Sequence, residues 1–139
     1  MTNQDPIRRG RHVVSDCQAH LVFVTKYRRG ALTKPVLEDC ETIMANVCDD
    51  LDATLIEFNG EEDHVHLLVA FPPKLALSNL VNSLKGVSSR LLRQTHQQHI
   101  SKHLWGNSLW SRSYYAATTG GANLETVKQY IQNQNAPTQ

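Results

Sequence analysis

Apolar residues along this chain follow two periods, and the switches between them outline a small two-layer domain. Leu21, Val22, Phe23 and Val24 are consecutive within Cys17 to Tyr27, as in a strand covered on both faces. A helix is predicted from Thr33 or Lys34, with Pro35 in its first turn and Val36, Cys40, Ile43, Met44, Val47 and Leu51 at helical spacing. Ala53 to Asn59 and His64 to Phe71 read as two strands joined by the turn Gly60-Glu61-Glu62-Asp63. After Pro72-Pro73, Ser78 is predicted to cap a helix with Leu80, Val81, Leu84, Val87, Leu91 and Leu92 on its core face. Leu104 to Thr119 reads as a loop feeding a last strand, which Gly120-Gly121 breaks. Asn123 then caps a final helix from Leu124 to about Asn135. The order is strand, helix, strand, strand, helix, strand and an added C-terminal helix. It predicts an α+β, ferredoxin-like (split βαβ, RRM-like) antiparallel sheet with two helices on one face and the other face open.

A length of 139 residues suits one domain, expected over 12–136, between a loose basic arm at 1–11 and a tail at 137–139. Hydrophobic residues at 40% and charged residues at 19% fit a globular chain rather than a disordered one. No stretch has the apolar length of a membrane span, and the polar N-terminus lacks a signal-peptide core. Cys17, Cys40 and Cys48 are odd in number and lack C-x-x-C spacing, which favours free thiols and a cytoplasmic setting.

Charge is segregated although its sum is only +1. Between Pro35 and Pro73 lie ten acids and no lysine or arginine; the fourteen basic residues lie outside with three acids, a balance of −10 against +11. Basic surface of that kind can hold nucleic-acid phosphates, and carboxylates near histidines help hold a cation. The acids from Glu38 to Asp52 are read as a solvated helix face.

His64-Val65-His66 is the candidate chemistry. Alternation places both imidazoles on one strand face, with Val65, Leu67 and Val69 on the other. The pair is either half of a divalent-metal site or two incidental polar residues on a half-exposed strand. His96, His99 and His103 recur at helical spacing without cysteine or carboxylate partners and are read as surface residues.

The terminal helix carries Val127, Tyr130, Ile131 and Gln134 on one face. A tyrosine there commonly belongs to a core. Laid across the open sheet face, however, the helix presents a phenol and an amide oxygen to the imidazoles. His64, His66 and Gln134 can then hold Mg²⁺ or Mn²⁺, and the Tyr130 hydroxyl can attack a phosphate to give a phosphotyrosine.

His64-Val65-His66, Lys85-Gly86-Val87-Ser88-Ser89-Arg90, Trp110-Ser111-Arg112-Ser113-Tyr114-Tyr115, Gly120-Gly121, and Tyr130 with Gln134 closely resemble the single-tyrosine HUH transposases of the insertion sequence 200/605 type. The resemblance covers roughly His12 to Gln134. It implies a homodimeric, metal-dependent endonuclease and strand transferase acting on single-stranded DNA near hairpins through a 5′-phosphotyrosine. By this resemblance Tyr130 is the nucleophile and His64, His66 and Gln134 are the metal ligands. Active sites can be completed in trans, by one subunit's tyrosine helix docking on the other's histidines. DNA contacts are expected from His20, Lys26, Arg28, Arg29, Lys85, Ser89 and Arg90, and a hinge at Gly120 and Gly121. Tyr114 or Tyr115 is a rival nucleophile. The alternative reading is a non-catalytic single-stranded DNA- or RNA-binding module of the same fold. A metal-free two-histidine phosphoesterase needs a second His-x-Thr/Ser motif on another strand, and no predicted strand carries one.

Overall fold

The computed structural model describes residues 8–9, 14–15, 17–104, 106, 108–118 and 124–134. The hinge at Gly120 and Gly121, the Asn123 cap and the tail at 137–139 lie outside them. β1 (Arg8–Arg9), in the segment read as a loose arm, pairs antiparallel with β2 (Val14–Ser15).

The main sheet contains β3 (Gln18–Val24), β4 (Thr54–Glu61), β5 (His64–Ala70) and β6 (Tyr115–Thr118), all antiparallel, in the order β4-β5-β3-β6. Helices α1 (Lys34–Asp50) and α2 (Leu77–Thr95) cover one face, the short α3 (Gln97–Ser101) follows, and α4 (Leu124–Gln132) ends the described chain. This is the ferredoxin-like arrangement with an added helix. Its two central strands are β5 and β3, so the His64-Val65-His66 segment sits mid-sheet.

Alternation decides which face each residue occupies. Leu21 and Phe23 of β3 and Val65, Leu67 and Val69 of β5 join Val36, Cys40, Met44, Leu80 and Leu84 in the main core. Each large side chain buried there stabilises the fold by roughly 1.5–3 kcal/mol. Val22 and Val24 point the other way and meet Val127 of α4, with Tyr115, Tyr130 and Ile131 packed around them. The Cys40 and Cys48 thiols are pushed up to about 12 by burial, assisted by the neighbouring carboxylates Glu41 and Asp49. They stay protonated and serve as core.

Two boundaries differ from the sequence pattern. Gly60 belongs to β4 rather than to the turn, and the hairpin closes tightly through Glu62 and Asp63. A Cβ at Gly60 would stand 2.6 Å from Leu37 Cδ2, so glycine lets α1 close on the strand. Helix α2 starts one residue before Ser78; Ala76 takes the cap position, and its carbonyl accepts from Leu80 N at 3.1 Å. Ser78 is therefore inside the first turn, not its cap.

Candidate active site

Register brings three strands to the histidine pair. His64 lies opposite Val24 and Glu61, and His66 opposite Val22 and Asn59. Both imidazoles are half-buried on the face away from α1 and α2. Asp63 fixes the start of this strand. Its carbonyl accepts from Thr25 N at 2.9 Å and from the Thr25 hydroxyl at 3.2 Å, which ties the hairpin to the end of β3. One carboxylate oxygen pairs with Arg28 Nε at 3.2 Å and the other lies 2.9 Å from His64 Nδ1. That contact orients the ring and leaves Nε2 outward, the carboxylate–histidine arrangement that supports metal ligation.

His20 is the neighbour the linear sequence did not reveal. It stands diagonally across from His66, and its Nδ1 lies 3.1 Å from His66 Nε2. The position of His20 beside His66 follows from antiparallel register, which only the folded sheet fixes. Burial lowers the His66 pKa, and the His20 and His64 rings add to the shift against the opposing carboxylate of Glu57. The shift favours the neutral imidazole, the form that binds metal. Among the described residues, no three His, Cys, Asp or Glu side chains form a ready ligand cluster.

Helix α4 crosses this open face, with Val127 on Val22 and Val24. A cavity of about 800 Å³ lies between the histidines and the helix. Its rim includes Arg28, Glu61, Glu62 and Asp63, and α4 contributes Val127, Lys128, Ile131 and Gln132. Tyr130 and Gln134 face another way. The Tyr130 hydroxyl lies 2.9 Å from Ser113 Oγ, and its ring packs 5.8 Å from that of Tyr115. Gln134 Oε1 accepts from Ser113 at 3.1 Å and from Ser111 at 3.3 Å, while its Nε2 donates to the Tyr130 carbonyl. A serine hydroxyl has one hydrogen; with Ser113 giving it to Gln134, Tyr130 donates to Ser113. Burial raises the Tyr130 pKa, and the Ser113 hydroxyl opposes that shift because it can turn to donate to a phenolate.

The serines are held from α2. Lys85 Nζ donates to the carbonyls of Ser111, Arg112 and Ser113 at 2.7, 3.2 and 3.4 Å, and lies over the rings of Phe23 and Tyr114. Burial lowers its pKa. Ser88, fully buried, accepts from Trp110 Nε1 at 2.9 Å, and Ser89 Oγ accepts from Leu109 N at 3.2 Å. Lys85 and Ser89, read from the sequence as DNA contacts, thus brace the 109–113 loop. Arg90 is exposed on the same helix. Lys85→Met keeps the stem but removes the donor, and is expected to cost about 1–3 kcal/mol in urea unfolding.

Of the basic cluster at the end of β3, Lys26 Nζ stands 5.7 Å from the Tyr27 ring, Arg28 pairs with Asp63, and Arg29 offers its carbonyl to the Thr25 hydroxyl at 2.6 Å. The α2–α3 histidines have structural partners: His96 Nε2 meets Asp39 at 2.7 Å, His99 Nε2 meets the Ala31 carbonyl at 3.0 Å, and His103 Nδ1 meets the His99 carbonyl at 3.2 Å. Ser111, Ser113 and Asp63 were the supporting residues sequence reasoning missed. The Trp110-to-Tyr115 motif contained both serines, but a loop carries no periodicity to aim them.

Fold and site together define a class: a ferredoxin-like domain with a tyrosine-bearing helix docked on the histidine-bearing face of its sheet. The family model described as "Transposase IS200 like" matches residues 13–134, and the chain belongs to that family. It is 30% identical over 129 residues to the ISDra2 transposase TnpA of Deinococcus radiodurans, covering 93% of this chain and 91% of that protein. It is 31% identical over 123 residues to the transposase for insertion sequence element IS200 of Salmonella typhimurium, covering 88% and 80%. A crystal structure of a putative transposase from Deinococcus radiodurans superposes with a TM-score of 0.84 at 30% identity, covering 93% of this chain and 98% of that one. A REP-associated tyrosine transposase bound to a REP hairpin shares the fold at 10% identity, with a TM-score of 0.56 and coverage of 89% and 67%. No helix among the described residues is long and apolar enough to cross a membrane.

Proposed function

We propose that this transposase is a metal-dependent single-stranded DNA endonuclease and strand transferase that works through a 5′-phosphotyrosine on Tyr130. The observation that carries the reading is that α4 packs on the sheet face that bears His64 and His66, with Val127 and Ile131 toward the histidines and Tyr130 and Gln134 on its other edge. A carboxylate-oriented His64 and His66 beside an acidic rim suit Mg²⁺ or Mn²⁺, and the Gln134 amide oxygen, once released from Ser111 and Ser113, would be the third ligand. The bound ion supplies Lewis-acid polarisation of the scissile phosphate.

Tyr130 Oη attacks phosphorus and loses its proton to solvent. The bond from phosphorus to the 3′ oxygen breaks, that oxygen takes a proton as a free 3′-OH, and the 5′ side stays esterified to Tyr130. A different 3′-OH then attacks the phosphotyrosine, Tyr130 leaves and recovers its proton, and a new phosphodiester joins the strands. The ester conserves the bond energy, so rejoining needs no nucleotide cofactor.

Within one chain, Tyr130 and Gln134 are engaged by Ser111 and Ser113, while other α4 residues face the histidines. In this reading the protein is a homodimer in which the helix of one copy, released from its own serines, completes the site of the other. Hairpin-bearing element ends in single-stranded form are the DNA partner of this reading. The test is incubation with labelled single-stranded DNA carrying an end hairpin, with Mg²⁺ or with EDTA. A denaturant-resistant, protein-linked band with metal and none with EDTA is expected; a band of equal yield in EDTA would contradict the metal requirement.

A further inference from the structure

The end of β3 turns sharply into a strained aromatic residue. Tyr27 and Arg28 both occupy the left-handed region, at φ 60° and 54°, a costly conformation for non-glycine side chains. The surrounding structure enforces it: Thr25, fully buried, donates its hydroxyl to the Arg29 carbonyl, and Arg28 N donates to the Thr25 carbonyl at 2.8 Å. The result places Tyr27 in solvent at 47% exposure, the large hydrophobic residue left exposed among those described.

Tyr27 is not on bare surface. It edges a cleft of about 290 Å³ shared with Lys26, Ser111, Arg112, Asn133 and Gln134. The lining joins an exposed ring, two cations and two primary amides, and it adjoins Gln134 and the serine loop that holds Tyr130. A ring offers stacking to a base, lysine and arginine hold a phosphate, and the exposed Asn133 amide can read a base edge. Two other readings of Tyr27 fail on the same geometry: at 47% exposure it is not core, and a turn alone would be cheaper with glycine or asparagine.

We propose that this cleft is a subsite for one unpaired nucleotide of the strand entering the active site, its base stacked on Tyr27 and its phosphate between Lys26 and Arg112. The proposal rests on the single-stranded DNA reading above and adds a positioning contact outside the histidine pocket.

The probe is a short oligothymidylate carrying 2-aminopurine near its middle, whose fluorescence falls on aromatic stacking. Wild type and Tyr27→Trp are expected to quench it. Tyr27→Gly is expected to lose the quench and to bind about tenfold more weakly, as for loss of one stacked base. Glycine fits the left-handed backbone, so this variant should melt no lower than wild type, which separates lost stacking from lost fold. Equal quenching and affinity in wild type and Tyr27→Gly would overturn the subsite while leaving strand binding standing. No binding of the oligonucleotide by wild type would overturn the single-strand reading, and the subsite with it.

Discussion

Tyr130→Phe is expected to abolish the covalent DNA adduct and strand transfer, by at least about a thousandfold, with little change in fold. Phenylalanine retains the ring packed near Tyr115 and the Val22–Val24 patch. Only the contact with Ser113 Oγ is lost, in an exposed setting, at a cost of about 1 kcal/mol. Circular dichroism and thermal melting should therefore match wild type while denaturing gels show no adduct. An adduct that survives would move the nucleophile elsewhere. Tyr114 is a poor candidate, since its ring packs edge-on to Phe23 beneath the Lys85 ammonium. Tyr115 shares the open face with Tyr130 and would be the next residue to replace.

His64→Ala combined with His66→Ala is expected to weaken Mn²⁺ binding by at least about a hundredfold, since even residues that only support ligands are worth 10–100-fold. Adduct formation should fall with it, and isothermal calorimetry reads the metal loss without DNA. The sheet should survive: the β3–β5 and β4–β5 ladders use backbone groups, and Val65 and Leu67 keep the core side filled. Unchanged Mn²⁺ affinity would remove the histidines from the metal site. The double variant also addresses assembly. Mixed with Tyr130→Phe, it supplies an intact α4 while the partner supplies intact histidines, so recovered activity is expected if sites are completed between copies. Two inactive proteins that stay inactive together would favour a site completed within one chain.

Much of this arrangement is legible in the chain because periodicity encodes faces. The alternation of His64 and His66 with Val65, Leu67 and Val69 fixes which side of β5 meets the helices. The helical spacing of Val36, Cys40, Met44 and Val47 likewise gives α1 its buried stripe. What periodicity does not encode is register and rotation between elements. His20 meets His66 only because β3 runs antiparallel with His20 two positions from Val22, the residue opposite His66. Val127, Tyr130, Ile131 and Gln134 share a helical stripe, yet its two edges address different partners. Ile131 lines the histidine cavity, and Tyr130 and Gln134 reach the serines. Lys85 looked like a cation on a polar helix face. Its burial against three carbonyls depends on a non-periodic loop that no spacing rule places.

The segregation of charge also acquires a location. Of the ten acids between Pro35 and Pro73, Glu61, Glu62 and Asp63 collect at the rim of the histidine cavity, with Arg28 ion-paired across it. Under the proposed metal dependence, a cation drawn to that rim would meet two imidazoles. Lys26 and Arg112 flank the adjoining cleft instead, where a phosphate chain can pass.

The covalent intermediate is the centre of the account, and its most direct measurement is mass spectrometry of a nuclease- and protease-digested reaction between wild-type protein, hairpin-bearing single-stranded DNA and Mg²⁺. The expected result is a peptide containing Tyr130 that carries a 5′-linked nucleotide on its phenolic oxygen, together with a cleaved strand ending in a free 3′-OH. DNA cut without any tyrosine-linked nucleotide, or with the nucleotide on a residue other than Tyr130, would contradict it.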